Sequence, residues 1–165
     1  MIEIRKADKN DVEGLKDILN IIELSPAEML DELMLEYFNN AETEDIWFTA
    51  IVGEKPCAIG YCAPEKLTDS TYNLYAIGVQ NDLQGKGVGK KMMTFIEDYL
   101  KSKGKRVLIV DTSSMPEFDL TREFYLKIGY TKEATIRDFW KDGRLYSIKI
   151  KRNAENTKGV KMKKE

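Results

Sequence analysis

Residues 2–7, IEIRKA, alternate apolar and polar positions, the period of a strand with one wet face. The pattern then turns helical. DVEGLKDILNII puts Val12, Leu15, Ile18 and Leu19 on one face, with Asn10 or Asp11 placed to cap it. SPAEMLDELMLEYF reads as a second helix, with Pro26 at its start and Ser25 as its cap. DIWFTAIVGEKPCAIGYCAP predicts two strands joined by a tight turn at Gly53-Glu54-Lys55, and STYNLYAIGV a third strand of the same meander. A long helix is expected from about Gly87 to Lys103. Its apolar residues Val88, Met92, Ile96 and Leu100 fall at four-residue spacing, and Gly104 ends it. RVLIVDT (106–112) is almost wholly apolar, as in a strand buried on both faces. DLTREFYLKI predicts a short helix stopped by Gly129, with Leu120, Phe124 and Ile128 as its buried stripe and Tyr125 at the edge. Two last strands, YTKEATIRDFW and LYSIKIKR, flank the turn KDGR. The end, NAENTKGVKMKKE, has no apolar period and repeats lysine, so residues 153–165 are expected to be disordered. Residues 1–152 read as one mixed α/β domain around a single sheet.

Composition narrows the function. The chain has 165 residues, 42% hydrophobic and 33% charged, and a net charge of −2, so nothing global points to nucleic acid. No apolar run is long enough to cross a membrane and MIEIRKADKN has no signal-peptide core, so a soluble cytoplasmic protein without membrane or nucleic-acid partners is expected. Cys57 and Cys62 are too few for a disulfide framework and read as packed small hydrophobes. The absence of histidine removes Ser-His-Asp and Cys-His machinery, and two cysteines alone do not complete a zinc site; no metal is expected. Proton transfer is left to a carboxylate, Tyr, Lys, Cys or a water chain.

The densest signal is NDLQGKGVGKKMM (81–93), in which Gly85, Gly87 and Gly89 stand among lysines between a strand and a helix. A P-loop needs four residues between its first Gly and the Gly-Lys pair, then Ser or Thr; three separate Gly85 from Gly89, and Lys91 follows Lys90. The dinucleotide fingerprint G-x-G-x-x-G also fails, because this chain has G-x-G-x-G after a meander strand. The shared physics remains. Amides opening a helix bind an anion, and glycines let it approach. The bland alternative is a turn that merely changes direction.

Gln84-x-x-Gly87-x-Gly89, directly after LYAIGV and opening a long helix, resembles the Q/R-x-x-G-x-G/A motif of the GNAT superfamily of acyl-CoA-dependent acyltransferases. TREFYLKIGY (121–130) resembles that family's A-x-x-F-Y-x-x-x-G-F segment. The resemblance implies an α/β (α+β) single domain: a central mixed, mostly antiparallel twisted sheet of about seven strands flanked by about four helices. It implies acetyl-CoA as co-substrate. The amides of Gln84, Gly85, Lys86, Gly87, Val88, Gly89 and Lys90 would take the pyrophosphate, and Ile77 and Val79 would offer backbone groups to the pantetheine arm. Gly78 would let the strand splay at a bulge. Tyr125 matches the tyrosine that protonates the departing thiolate; otherwise it is a core aromatic.

The base stays open. Asn73 stands where some relatives place a Glu, and Asp111, Glu117, Asp119 or a water chain are the alternatives. Phe118 occupies a position at which many relatives that acetylate protein N-termini carry Asn. Between Asp11 and Glu54 twelve residues are acidic and only Lys16 is basic, which favours a cationic acceptor, a small-molecule or protein amine, if the first helices wall its site. The spacing of Glu28, Asp31, Glu32 and Glu36 equally fits the wet face of a helix. Phe139 and Trp140 would cap the acceptor pocket or cover a homodimer seam. The reading is an N-acetyltransferase acting on a primary amine by direct attack, with a CoA-binding module lacking activity, or an acyltransferase using a longer chain, as rivals.

Overall fold

The structure is a computed structural model that describes residues 1–139 and 145–152. The turn KDGR, Trp140 and the lysine-rich tail lie outside the described residues. The expected order of elements is found: β1 (Ile2–Lys6), α1 (Val12–Ile22), α2 (Leu30–Asn39), β2 (Ile46–Val52), β3 (Lys55–Pro64), β4 (Thr71–Val79), α3 (Val88–Ser102), β5 (Val107–Ser113), α4 (Asp119–Lys127), β6 (Thr131–Arg137) and β7 (Leu145–Arg152). They build one seven-stranded sheet in the order β1-β2-β3-β4-β5-β7-β6. Every neighbouring pair is antiparallel except β4 and β5, which α3 joins.

The sheet is covered on both faces. On one side α3 buries Val88, Met92, Met93, Ile96 and Leu100 against Phe48, Leu74, Leu108 and Val110, and Tyr125 of α4 joins this core. On the other, Leu15, Ile18 and Leu19 of α1 and Leu30 and Met34 of α2 pack on Trp47 and Ile59. The four-residue spacing read along α3 is therefore its buried stripe, with Met93 added. Gly104, at φ +72°, closes α3: the amide of Lys105 reaches back to the carbonyl of Leu100. Gly53 and Glu54, both at positive φ, make a two-residue turn from β2 to β3. Cys57 and Cys62 are both buried and unbridged on β3.

Several local expectations are corrected. Asp8 caps the first helical segment, not Asn10 or Asp11: a 3-10 turn over Lys9–Asp11 precedes α1, and Asp8 and Asp11 form its capping box. Asp11 is spent on that box and on a two-pronged ion pair with Arg5, at 2.6 and 2.9 Å. Ser25 does not cap the second helix; the chain enters through Pro26 and a 3-10 turn, Ala27–Met29, without a side-chain cap. In α4 the buried residue is Tyr125, at 2% exposure, while Leu120 is 80% exposed. The helix is short and meets the sheet along one line, which Tyr125 occupies.

The bulge expected at Gly78 lies three residues earlier. Cys62 pairs with Leu74 and Tyr61 with Ala76, so Tyr75 is the extra residue. It shifts the alternation, and Leu74 and Ile77 both face the α3 core. Gly78 pairs regularly with Ile59 and serves a different end. A Cβ there would stand 2.1 Å from Cδ1 of Ile22, so Gly78 lets α1 pack close to the sheet.

Candidate active site

The parallel pairing of β4 with β5 runs only from Thr71↔Val107 to Leu74↔Val110, although β4 continues to Val79 and β5 to Ser113. Beyond the last pair the two strands part, and Tyr75 and Asp111 are the first residues past the fork. The amide of Gln80 donates across to Cys57 of β3 at 2.9 Å. By the alternation of a strand, Ile77 and Val79 then turn their amides the other way, toward the open fork. The backbone of β4 is thus left with donors and acceptors that no strand of the sheet takes up.

The glycine turn closes the wide end of this fork. Gln84 ties it down, its carboxamide donating to the carbonyl of Val79 at 2.9 Å and to Asn81 at 3.1 Å. Gly85 sits at φ +71° and Gly87, the residue preceding α3, at φ +83°, the left-handed region that glycine enters without strain. No side chain caps α3. Among the described residues the amides of Gly85, Gly87, Val88, Gly89 and Lys90 find no backbone acceptor, whereas that of Lys91 already bonds Gly87 at 3.1 Å. Five donors and the positive end of a 15-residue helix therefore face one exposed spot. Lys86, Lys90 and Lys91 are exposed beside it and pair with no carboxylate among the described residues. A Cβ on Gly85 or Gly87 would meet nothing within 4 Å, so this spot is open; one on Gly89 would turn inward, 3.6 Å from the ring of Phe124. The side chain of Val88 is buried in the core, which leaves only its amide to the turn. These features fit a pyrophosphate and an extended amide-bearing arm.

Tyr125 reaches the same region from α4. Its ring lies edge-on to Phe124 and Tyr130, at 5.3 and 5.5 Å. Burial, with lesser effects from Cys62 and Asp111, pushes its phenol well above the ordinary value. The hydroxyl makes no hydrogen bond among the described residues, and it is not one of the fully sealed polar atoms. Arg122 anchors α4 to the end of β5 through the carbonyls of Ser113 and Met115, and also holds Asp119.

On the opposite face of the fork Asn73 and Asp111, both weighed from sequence, are joined by Glu65, which was not. Asn73, 4% exposed, donates to Glu65 at 2.8 Å and to Asp111 at 2.9 Å. The hydroxyl of Tyr75 lies 3.3 Å from the same Glu65 oxygen. Glu117 and Asp119, the other carboxylates considered from sequence, are exposed and outside this cluster. Glu28, Asp31, Glu32 and Glu36 are exposed on the outer side of the second helical segment, and Asp31 is paired with Lys16 at 2.7 Å, so they form its wet face. Among the described residues no cluster suits a metal ion, and no helix is long and apolar enough to cross a membrane.

Residues 15–130 match the family model described as the Acetyltransferase (GNAT) family. No curated protein gives a significant match. Among solved structures, a GNAT-family protein from Desulfovibrio desulfuricans superposes with a TM-score of 0.84 at 22% identity, covering 92% of this chain and 99% of its own. The aminoglycoside 6'-N-acetyltransferase of Enterococcus faecium gives 0.74 at 16%, covering 91% and 96%. Salmonella typhimurium yncA, solved with its cofactor acetyl-CoA, gives 0.73 at 16%, covering 92% and 94%. The fold of all three is that described above.

Proposed function

The chain belongs to the GNAT acetyltransferase family, and on that premise we propose that it moves an acetyl group from acetyl-CoA to a primary amine by direct attack within a ternary complex. The observation that carries the reading is the fork between β4 and β5, ended by a glycine turn with five amides that no acceptor among the described residues takes up. Gln84 to Lys90 supply the pyrophosphate cradle, with Lys86 and Lys90 adding charge that water screens. Ile77 and Val79 offer the pantetheine arm the hydrogen bonds of a missing strand. The thioester is thereby drawn toward the apex, beside the hydroxyl of Tyr125.

The amine lone pair attacks the thioester carbonyl, so a C–N bond forms as the C–S bond breaks. The nitrogen sheds one proton and the sulfur gains one; amine and acetyl-CoA become amide and CoA thiol. Tyr125, kept neutral by burial, donates to the sulfur and is reprotonated from solvent. The thiolate forms in the same dry pocket, which raises its proton affinity as well. No Ser-His or Cys-His pair is present to carry a covalent acyl intermediate, which supports direct attack.

The test is thiol release from acetyl-CoA across a panel of primary amines, with mass spectrometry of the product. Amide product from any amine supports the reading. CoA binding without turnover on every amine would leave a CoA-binding module in its place.

A further inference from the structure

The end of the sheet away from the glycine turn holds a cleft of about 620 Å³, within the range of small-molecule sites. It lies between the last turns of α2 and α3, and the end of β1 and the beginnings of β2 and β4 complete its wall. The 15 residues of α3 set it roughly 20 Å from the glycine turn. Aromatic rings line it. Tyr37 and Phe38 stand 5.1 Å apart on α2, Tyr99 comes from α3 and the buried Tyr72 from β4. The hydroxyls of Tyr37 and Tyr72 donate to the carbonyls of Ala7 and Glu44, at 2.9 and 3.0 Å, which fixes both rings.

An ammonium stands over each ring. Nζ of Lys6 lies 5.8 Å from the centre of Tyr37 and 5.9 Å from that of Tyr99, which Lys103 also approaches, at 5.7 Å. Lys9 stands 5.9 Å from Phe38, and Lys105 5.1 Å from Tyr72. Three carboxylates share the rim, and each has a partner in the fold. Asp8 accepts from the amide of Asn10 at 2.8 Å and lies 3.4 Å from Arg5. Glu44 takes Lys105 at 3.1 Å, and Asp45 accepts from the hydroxyl of Tyr61 at 2.7 Å. Lys6, Lys9 and Lys103, all exposed, pair with no carboxylate among the described residues. Nor is the Lys103 ammonium spent on the end of α3. The carbonyl of Tyr99 is taken by the Ser102 hydroxyl and the Lys103 amide, and those of Leu100 and Lys101 by the amides of Lys105 and Gly104. Three ammonium groups are thus gathered around one cleft in a chain of net charge −2, and their mutual repulsion is relieved by an anion.

We propose that this cleft binds a nucleoside polyphosphate, with its phosphates on Lys6, Lys9 and Lys103 and its base against the rings of Tyr37, Phe38 and Tyr99. Lysine binds phosphate as a point charge. Phosphate draws the ammoniums off the ring faces, and the base stacks in their place. The site is separate from the glycine turn and independent of the acetyl-transfer reading.

The test titrates ADP, pyrophosphate and adenosine into the full chain without magnesium, read by ¹H–¹⁵N NMR at the amides of Ala7, Asp8 and Lys105. Reading the affinity there keeps it distinct from any binding at the glycine turn. ADP should bind with a Kd below about 1 mM. Pyrophosphate should bind roughly tenfold more weakly, the loss of one stacked base, and adenosine should fail to saturate at the same concentrations. Lys6→Gln combined with Lys103→Gln removes two exposed charges and should weaken ADP roughly tenfold, with a smaller gap in high salt. Gly87→Asp should leave the ADP affinity read at these amides unchanged. Shifts confined to residues 85–90, pyrophosphate binding as tightly as ADP, or wild-type ADP affinity in the double lysine variant would each overturn the assignment, as would the absence of any ADP shift at the cleft.

Discussion

Substituting Gly87 by Asp and by Asn separates shape from charge at the proposed pyrophosphate cradle. The residue sits at φ +83°, with nothing within 4 Å of where a Cβ would stand. Neither side chain therefore clashes in the free protein, and the cost there is backbone strain of about 1–2 kcal/mol, less for Asn, which enters the left-handed region more readily. That strain is common to free and bound protein and drops out of the binding constant. What remains is charge. An Asp carboxylate about 5 Å from one phosphate charge, at an effective dielectric near 20, is repelled by ~3 kcal/mol. Screening by salt and the neighbouring lysines trims this to about 2–3 kcal/mol, a loss of roughly 30- to 150-fold in affinity relative to Gly87→Asn. Titration calorimetry with CoA measures it, and the gap should narrow in high salt. Since ligand binding raises stability by mass action, the CoA-induced rise in Tm should shrink in the same order. Equal CoA affinity of Gly87→Asp and Gly87→Asn at low salt would refute the claim that phosphate lies against this turn. Gly89→Asp is a poorer probe, because its Cβ points inward at Phe124.

Tyr125→Phe should lower kcat by roughly 10²-fold while leaving CoA affinity and Tm unchanged, since the hydroxyl has no partner to lose among the described residues; normal turnover in a kinetic assay would make Tyr125 a packing residue only. Gly78→Ala should destabilise the domain by about 1–2 kcal/mol in urea unfolding, and shortening the opposing side chain with Ile22→Val should restore much of it, because the new methyl meets Cδ1 of Ile22 at 2.1 Å; additive losses would contradict that contact. Lys149, 1% exposed, has its ammonium pKa lowered to about 8 by burial and then by the charges of Arg122 and Lys132, with Asp111 opposing. Between about pH 8 and the unfolded value of about 10.4 the unfolded chain holds a proton that the folded one has released, so wild-type stability should rise with pH across that window relative to Lys149→Met; parallel pH profiles for the two proteins would count against a desolvated ammonium.

Most of the fold was legible because each element's period matched the face it buries. The stripe Val88, Met92, Ile96 and Leu100 is local information, and α3 has no other way to lie. The errors share a cause. Tyr125 reads as an edge residue on a helical wheel, but α4 meets the sheet along a line that tertiary contact sets. A bulge adds one residue to a strand, and nothing in LYAIGV distinguishes Tyr75 from Gly78 as the one added; Gly78 is glycine on account of α1. The open glycine turn before α3 was readable because glycines and lysines concentrate in one short stretch. The Glu65–Asn73–Asp111 cluster was not, because its members come from a loop and two strands and share no spacing. Asn73 looked like the loss of a base, and only its two hydrogen bonds reveal it as the bridge between two carboxylates.

The site follows from one topological choice. Six strand pairs hold the sheet, five of them antiparallel, and the exception is made by β4, α3 and β5. A crossover helix must start where its first strand ends, so the amides of the glycine turn stand at the same end of the sheet as the fork. Parallel strands that part beyond a short pairing expose backbone on β4, and the side chains past the last pair diverge to both faces. Tyr125 enters from the α3 side, while Asp111 and Asn73 look to the other. A thioester laid along β4, as proposed above, would then have the Tyr125 hydroxyl on the α3 side of the sheet. The Asp111 carboxylate stays on the other, where the Asn73 amide takes one oxygen and the second is sealed. Were the phenol and the carboxylate side by side, each could satisfy the other; held on opposite faces, the phenol keeps its proton for a departing sulfur.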